Sequence, residues 1–273
     1  MIMTAAGGRT GSTDSGNPKY KSLYNSLATD IPDKRFVFMN HGFAELKLGA
    51  EDFSWLKRED EAWKYSINLV RHLLRDVNLD GKTILDVGCG RGGTCSYLMR
   101  YAKPKQVRGL DYSEQNIAFC KNTHVHEGLD FVQGDAQHLP FEDGSFDVVT
   151  NIESSHCYPN REQFYSEVHR VLKPGGFFCY TDNLRRFPGK WRVEGQLKRA
   201  GFRVLSYEDI TQNVIHGIMR SSSSLYELLT SMVDPKLGNE QTLQAIYFSV
   251  THRNTQLYLL GLQSYRLWRL ERI

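Results

Sequence analysis

No apolar run in this 273-residue chain approaches the ~20 residues that a helix needs to cross a bilayer, which excludes a helical membrane span. The first stretch, Met1 to Asn17, has no apolar core of the kind a secretory leader carries. Its Gly, Ser and Thr content reads as a disordered tail over residues 1–18. The five cysteines are odd in number and form no C-x-x-C pair, so neither a disulfide framework nor a dithiol motif is indicated. Cys89, Cys95, Cys157 and Cys179 lie in or beside expected core elements, where a reduced thiol acts as a small apolar group, and a cytoplasmic compartment follows. The net charge is only +3 and no basic run is interleaved with aromatics, which argues against a nucleic-acid partner. No internal repeat is visible. With 40% hydrophobic and 24% charged residues, the chain has what one large domain, or one domain with a cap, requires.

What is present is an ordered series of strand ends. Thr83 to Val87 is a strand-like run containing Asp86, and it breaks into Gly88-Cys-Gly-Arg-Gly-Gly93. Glycine has no Cβ and tolerates positive φ, so such a turn lets backbone approach a nucleotide-like ligand closely. Asp111 follows a second run at Gln106–Leu110, Gly134-Asp135-Ala136 follows a third at Leu129–Gln133, and Phe146–Asn151 is a fourth. Helices are expected at about Gly92–Tyr101, stopped by Pro104, then from the N-cap Ser113, then at Arg161–Leu172. Lys173-Pro-Gly-Gly176 reads as a turn before a strand at Phe177–Thr181. A helix at Trp191–Ala200, a strand at Phe202–Tyr207 and a last strand at Tyr265–Leu270 continue the series. Alternating strands and helices force a parallel sheet with right-handed crossovers. Upstream, Tyr20–Leu27 reads as a short helix and Glu59–Val77 as a longer amphipathic one. The stretch Asp209–Val250, with Ser221–Ser224 and an Asp234–Gly238 turn, reads as irregular, largely helical cap material.

In open α/β sheets a ligand binds beyond the carboxyl ends of the strands, which is where Asp86, Gly88, Gly90, Asp111, Asp135, Ala136 and Asn151 fall. Asp111, at the tip of the second strand, is placed to accept both hydroxyls of a ribose; the alternative is an Asp that starts a turn before Ser113. A nicotinamide dehydrogenase prefers G-x-G-x-x-G near the amino terminus, whereas this turn comes after some eighty residues. Nor does that fold have counterparts of Asp135-Ala-Gln-His-Leu-Pro-Phe141, Phe146-Asp-Val-Val149 or Val171-Leu-Lys-Pro-Gly-Gly176.

Those blocks together resemble the class I S-adenosylmethionine-dependent methyltransferases, most closely over residues 82–182. The resemblance implies a Rossmann-like α/β fold: a seven-stranded, mostly parallel sheet with the last strand antiparallel and a helical cap over the carboxyl edge. It divides the chain into a lid or cap segment (19–80), a cofactor-binding core (81–208), a substrate cap insertion (209–250) and a closing helix and strand (251–273). It implies S-adenosylmethionine as cofactor, with Asp86, Gly88 and Gly90 under the methionine part, Asp135 and Ala136 at the adenine amino group, and Asn151 near the methionine moiety. Catechol-type relatives use magnesium with an Asp-Asp-Asn cluster; no such cluster follows the fifth or sixth strand, so no metal is expected.

Glu153-Ser-Ser-His-Cys-Tyr-Pro159, Gln263-Ser-Tyr-Arg-Leu-Trp268 and Phe38-Met-Asn-His-Gly-Phe43 resemble the phthiotriol dimycocerosate methyltransferase group and its natural-product O-methyltransferase relatives. In related sugar O-methyltransferases a histidine in this E-S-x-H setting and an aspartate after strand five form the proposed catalytic pair, which makes His156 the base and Asp182 its orienter. An imidazole with a pKa near ~6.5 suits that work. His156 as a cap or loop hydrogen-bonder, and Asp182 as a turn former, are the bland alternatives. A Cys157–His156 nucleophile is disfavoured because adjacent residues rarely meet that geometry. The acceptor pocket and lid are expected from Tyr20, Tyr24, Phe36, Phe43, Trp55, His216 and the cap around Met219–Leu229. As a lid, that aromatic content favours a sizeable, lipophilic small-molecule acceptor, and the resemblance implies O-methylation of a hydroxyl; the alternative is that these aromatics are plain core. N- or C-methylation, or a cyclase that binds the cofactor without transferring methyl, stay open. A regulatory subunit is disfavoured by the intact glycine turn and Asp111.

Overall fold

The computed structural model describes residues 29–47, 49 and 51–273, without the side chains of 186–188. The expected tail, the helix at Tyr20–Leu27 and the lid residues Tyr20 and Tyr24 lie outside the described residues. Ahead of the sheet, Arg58–Trp63 is a 3-10 turn and α1 (Lys64–Leu74) follows it. The single helix expected over Glu59–Val77 is thus divided. Buried Asp60 marks the division: it accepts hydrogen bonds from Arg100 and Tyr101, each at 2.6 Å to Oδ2.

The core alternates as expected through β1 (Thr83–Val87), α2 (Gly93–Tyr101), β2 (Gln106–Asp111), α3 (Glu114–Thr123), β3 (Leu129–Gln133) and β4 (Phe146–Ile152). Ser113 caps α3 by accepting from the Asn116 amide at 3.1 Å, which satisfies one of the free donors of the first turn. After α4 (Arg161–Val171) comes β5 (Leu172–Arg185), longer than expected. Phe146 pairs with Leu172 but Val148 pairs with Phe177, so Lys173-Pro-Gly-Gly176 is a bulged excursion within the strand rather than a turn before it. Helix α5 (Arg186–Arg199) and β6 (Phe202–Asp209) follow.

The segment from Asp209 to Val250 is more regular than its sequence suggests. Helix α6 runs Thr211–Thr230, burying Val214, Ile215, Ile218 and Leu229. Ser221 and Ser222, within its serine run, donate back to the carbonyls of Ile218 (3.2 Å) and Met219 (2.8 Å), so their hydroxyls are spent locally and the helix continues. Helix α7 (Glu240–Phe248) passes through a π-helical stretch (Ser249–Asn254) into α8 (Thr255–Leu259), and β7 (Gln263–Arg272) closes the sheet.

The strand order is β3-β2-β1-β4-β5-β7-β6; β7 runs antiparallel to both β5 and β6, and the other pairings are parallel. One face packs Phe164, Tyr165, Val168, Val171 and Leu197 against Phe178, Tyr180 and Trp268. The other gathers α1, α2, the cap helices and the segment Ile31–Phe43. That segment is tied down by Arg91, whose guanidinium donates to the carbonyls of Phe36 (2.5 Å), Ile31 (2.7 Å) and Asp33 (3.2 Å) and lies 3.6 Å from the Phe119 ring centre. Burial, only partly offset by the charge of Asp33, pulls the Arg91 pKa down to about 10. The Gly93 amide adds a bond to Val37 O at 3.2 Å. The amino-terminal segment therefore lies against the glycine turn. Among the described residues no helix is long and apolar enough to cross a membrane.

Candidate active site

Between the carboxyl ends of β1, β2 and β4, the Ile31–Phe43 segment and the cap lies a cavity of about 850 Å³. Asp86, Gly88, Gly90, Asp111, Asp135, Ala136 and His156 all line it. The turn is built for close approach. Gly88 has φ +72°, and a Cβ there would fall on Ser154 Oγ and within 2.8 Å of the Tyr158 hydroxyl. Gly90 has φ +53°, and a Cβ there would meet only the flexible end of Met39.

Acidic groups surround this turn. Asp111 accepts from the Gly90 amide (Oδ2, 2.9 Å), the Ser113 amide (Oδ1, 2.9 Å) and Asn116 Nδ2 (3.2 Å). Burial pushes its carboxyl above the ordinary range despite those donors. The same bonds hold the glycine turn to the tip of β2, and Asp111 also lines the cavity. Asp86, only 3% exposed, accepts from Thr150 Oγ1 at 2.7 Å, and burial pushes it up to about 7. Asp135 is held by the Gln137 amide at 2.9 Å, with Ala136 beside it on the wall.

Asn151 does not line the cavity. Fully buried, it donates through Nδ2 to Val87 O (2.9 Å) and Ser154 Oγ (2.6 Å), drawn behind the wall by the carbonyl that ends β1. It braces the turn through Ser154 and Tyr158, which are themselves 2.9 Å apart and do line the cavity.

His156 sits in a short 3-10 turn, Ser155–Cys157, directly after β4. Its Nδ1 lies 2.7 Å from Asp182 Oδ1, and its backbone amide donates to Oδ2 at 2.9 Å. Ser155 Oγ (2.6 Å) and the Asn183 amide (2.8 Å) donate to the same carboxylate. Asp182 is fully buried behind the wall, while the His156 side chain is 27% exposed to the cavity. Burial pulls the imidazole pKa down, but the charge and hydrogen bond of Asp182 outweigh it and hold the group well above its usual value. A histidine with one nitrogen held by a buried carboxylate has a fixed tautomer, which is what proton transfer at the other nitrogen requires.

A second histidine–carboxylate pair joins His41, which the sequence offers only as a weaker candidate because a lone histidine is more often structural, to Glu153, which the sequence does not single out. His41 Nδ1 lies 3.1 Å from Glu153 Oε2, and the His41 amide donates to Oε1 at 2.7 Å. Tyr265 donates to Glu153 Oε1 at 2.5 Å, and Asn254 Nδ2 lies 2.8 Å from His41 Nε2. His41 and Glu153 both line the cavity, and Glu153 holds a left-handed backbone at φ +50°, uncommon for a residue with a side chain. Strain at a polar cavity wall is the signal that marks Glu153, which the sequence shows only as part of E-S-S-H.

Other expected lining residues lie elsewhere. Phe43 is 2% exposed and stacks on His72 with ring centres 4.1 Å apart, so it is core. His216, on α6, and Trp55, stacked edge-on to Tyr101, are off the cavity wall. Phe36 does line it, as do Ser221 and Leu225 from the expected cap region. Among the described residues no three His, Cys, Asp or Glu side chains form a group able to hold a metal.

The methyltransferase-domain family profile matches residues 85–180. The fatty-acid O-methyltransferase of Mycolicibacterium smegmatis is 40% identical over 219 residues, covering 80% of this chain and 77% of that one. The phthiotriol/phenolphthiotriol dimycocerosates methyltransferase of Mycobacterium tuberculosis is 39% identical over 224 residues, covering 81% and 80%. In fold, the cyclopropane synthase MmaA2 of Mycobacterium tuberculosis superposes with a TM-score of 0.71 at 16% identity, covering 95% of this chain and 100% of that one. The [4+2]-cyclase SpnF superposes at 0.68 with 21% identity, covering 93% and 94%. The chain belongs to the class I S-adenosylmethionine-dependent methyltransferases. The wall chemistry fits that cofactor: a cation with ribose hydroxyls would find carboxylates at Asp86, Asp111 and Asp135 around a turn that a Cβ at Gly88 would fill.

Proposed function

We propose that this enzyme methylates an oxygen of a lipophilic acceptor, with His156 as general base and Asp182 as its positioning partner. The observation that carries this reading is the 2.7 Å His156–Asp182 pair, buried on one side and facing a large cavity on the other. Bound S-adenosylmethionine supplies a methyl group already activated for displacement. The protein's part is alignment and proton handling. Asp111 accepts the ribose hydroxyls, Asp135 and the Ala136 backbone take the adenine edge, and Asp86 with the Gly88–Gly90 turn faces the cationic end. His156, its Nδ1–H given to Asp182, takes the proton of an alcohol at Nε2 as the oxygen attacks. The cavity volume lies in the upper part of the ~300–1,000 Å³ typical of ligand sites, which suits a cofactor plus an acceptor chain. The names of the curated relatives, a fatty acid and a phthiotriol, support a lipophilic acceptor.

One observation favours a second reading of the acceptor. The charge and hydrogen bond of Asp182 hold His156 well above its usual pKa, which favours the protonated imidazole. A carboxylate acceptor needs no base, and a protonated His156 would hold it by a charge-assisted bond. The test is the pH profile with a long-chain alcohol and with the matching fatty acid. Turnover that rises with pH for the alcohol supports the base. Turnover of the acid alone, falling as His156 loses its proton, supports the carboxylate reading; turnover of neither contradicts both.

A further inference from the structure

The cap that lines the cavity also carries strongly exposed apolar side chains. Leu257 and Gln263 face the cavity, and between them Leu259, Leu260 and Leu262 are 67%, 72% and 57% exposed. A tight turn ordinarily carries polar residues, and here it carries leucines. Phe248 is 59% exposed on α7, next to the lining residues Ser249 and Val250. On the neighbouring strand Arg185 pairs with Gln263, and α5 continues from it to Trp191, 80% exposed, and exposed Arg192.

The two chain segments that carry these side chains are basic, with the exposed Asp209 at the end of β6 as the nearest acid in the adjoining strand. No Asp or Glu occurs between Gln241 and Leu270, nor between Asn183 and Val193, while Arg253 at the cavity wall, Arg185 and Arg192 are exposed. Exposed leucines and a tryptophan amid arginines form the pattern of a surface that enters a lipid interface. Isolated exposed apolar residues are ordinary; three exposed leucines within four residues, flanked by the cavity-lining Leu257 and Gln263, are not.

We propose that the Leu259–Leu262 turn and the Arg185–Arg192 edge dock the enzyme on an anionic lipid surface, with the cavity mouth facing the acyl layer. The docking is peripheral, with side chains entering the interface and no span. It depends on the surface alone and stands whatever oxygen the enzyme methylates.

The test is co-sedimentation of the full chain with phosphatidylcholine vesicles, with and without phosphatidylglycerol. Binding is expected only with the anionic lipid and is expected to weaken with salt. The combined Leu259→Ser, Leu260→Ser and Leu262→Ser variant should bind roughly tenfold more weakly or worse, with cofactor affinity and melting temperature unchanged. Should that variant misfold, Trp191→Ser with Arg192→Glu, on a different element, gives the same reading. Equal binding by wild type and folded variants, or no binding to anionic vesicles, overturns the proposal. So does a stable dimer in light scattering that these substitutions dissolve, which would give the face to a second copy.

Discussion

Asp182 takes the Nδ1 edge of His156 at 2.7 Å and the His156 backbone amide at 2.9 Å, so one buried carboxylate fixes both the ring and the loop that carries it. Ser155 and Asn183 complete the set of donors, which leaves the carboxylate no freedom to turn away. In the proposed reaction such an aspartate acts through the histidine. It sets the tautomer and stabilises the imidazolium without itself meeting the acceptor.

His156→Ala is therefore expected to lower kcat by about 10²–10⁴ while the dissociation constant for S-adenosylmethionine stays nearly unchanged. Calorimetric titration beside steady-state assays separates the two. Loss of cofactor binding would make the histidine structural.

The pH dependence carries its own sign. Asp182 holds His156 above its ordinary ~6.5, so the base form needed by an alcohol accumulates only as pH rises past that raised value. Asp182→Asn removes the charge that lifts the imidazole, and burial then pulls it down. The activity profile should shift to lower pH while its maximum falls. Protonated His156 also stabilises the fold below ~6.5, and that contribution is lost as pH rises through the raised value, so alkaline melting temperatures should converge between wild type and Asp182→Asn.

Asp86, pushed up to about 7, gives a second titration. Ionised above that value, it attracts the cationic end of the cofactor; protonated below it, it does not. Cofactor affinity should tighten as pH rises through the neutral range, and Asp86→Asn should flatten that dependence. An unchanged profile in the variant would remove Asp86 from the site.

Gly88 and Gly90 separate two kinds of glycine requirement. Gly88→Ala combines positive φ with collision against Ser154 and Tyr158, groups fixed by Asn151. It should cost about 2 kcal/mol or more of stability and abolish cofactor binding. Gly90→Ala meets only Met39 and should cost about 1 kcal/mol. Denaturant midpoints of the two variants check the order.

Arg91→Met should release the Ile31–Phe36 segment from the glycine turn. Three backbone carbonyls lose a charged donor, and a loss of about 1.5–3 kcal/mol is expected. Limited proteolysis near Asp33 should quicken in parallel with a fall in melting temperature.

The alternating core was legible because each element obeys a local rule: Ser113 caps, Pro104 stops a helix, and β1 ends in glycines that only a close approach explains. The class of fold followed from that series. The site was legible where chemistry sits at a strand end, as with His156 and Asp182, which the structure brings to 2.7 Å. Pairs that join distant segments were not. His41 and Glu153 are 112 residues apart, and only the amino-terminal segment folding over the sheet edge brings them together. Phe43 read as a lid aromatic because sequence shows the side chain and not the His72 ring that buries it. The stretch containing the serine run Ser221–Ser224 read as irregular cap material, yet the buried stripe of α6 overrides the run's weak helix propensity.

Transfer of the methyl group tests the central claim most directly. The enzyme is supplied with methyl-deuterated S-adenosylmethionine and matched long-chain alcohols and acids, and the products are read by mass spectrometry. The account predicts a labelled methyl on oxygen, as ether or ester, with one equivalent of S-adenosylhomocysteine and loss of both products in His156→Ala. Label on carbon or nitrogen, or tight cofactor binding with neither labelled product nor S-adenosylhomocysteine from the enzyme's own host lipid extract, would contradict it.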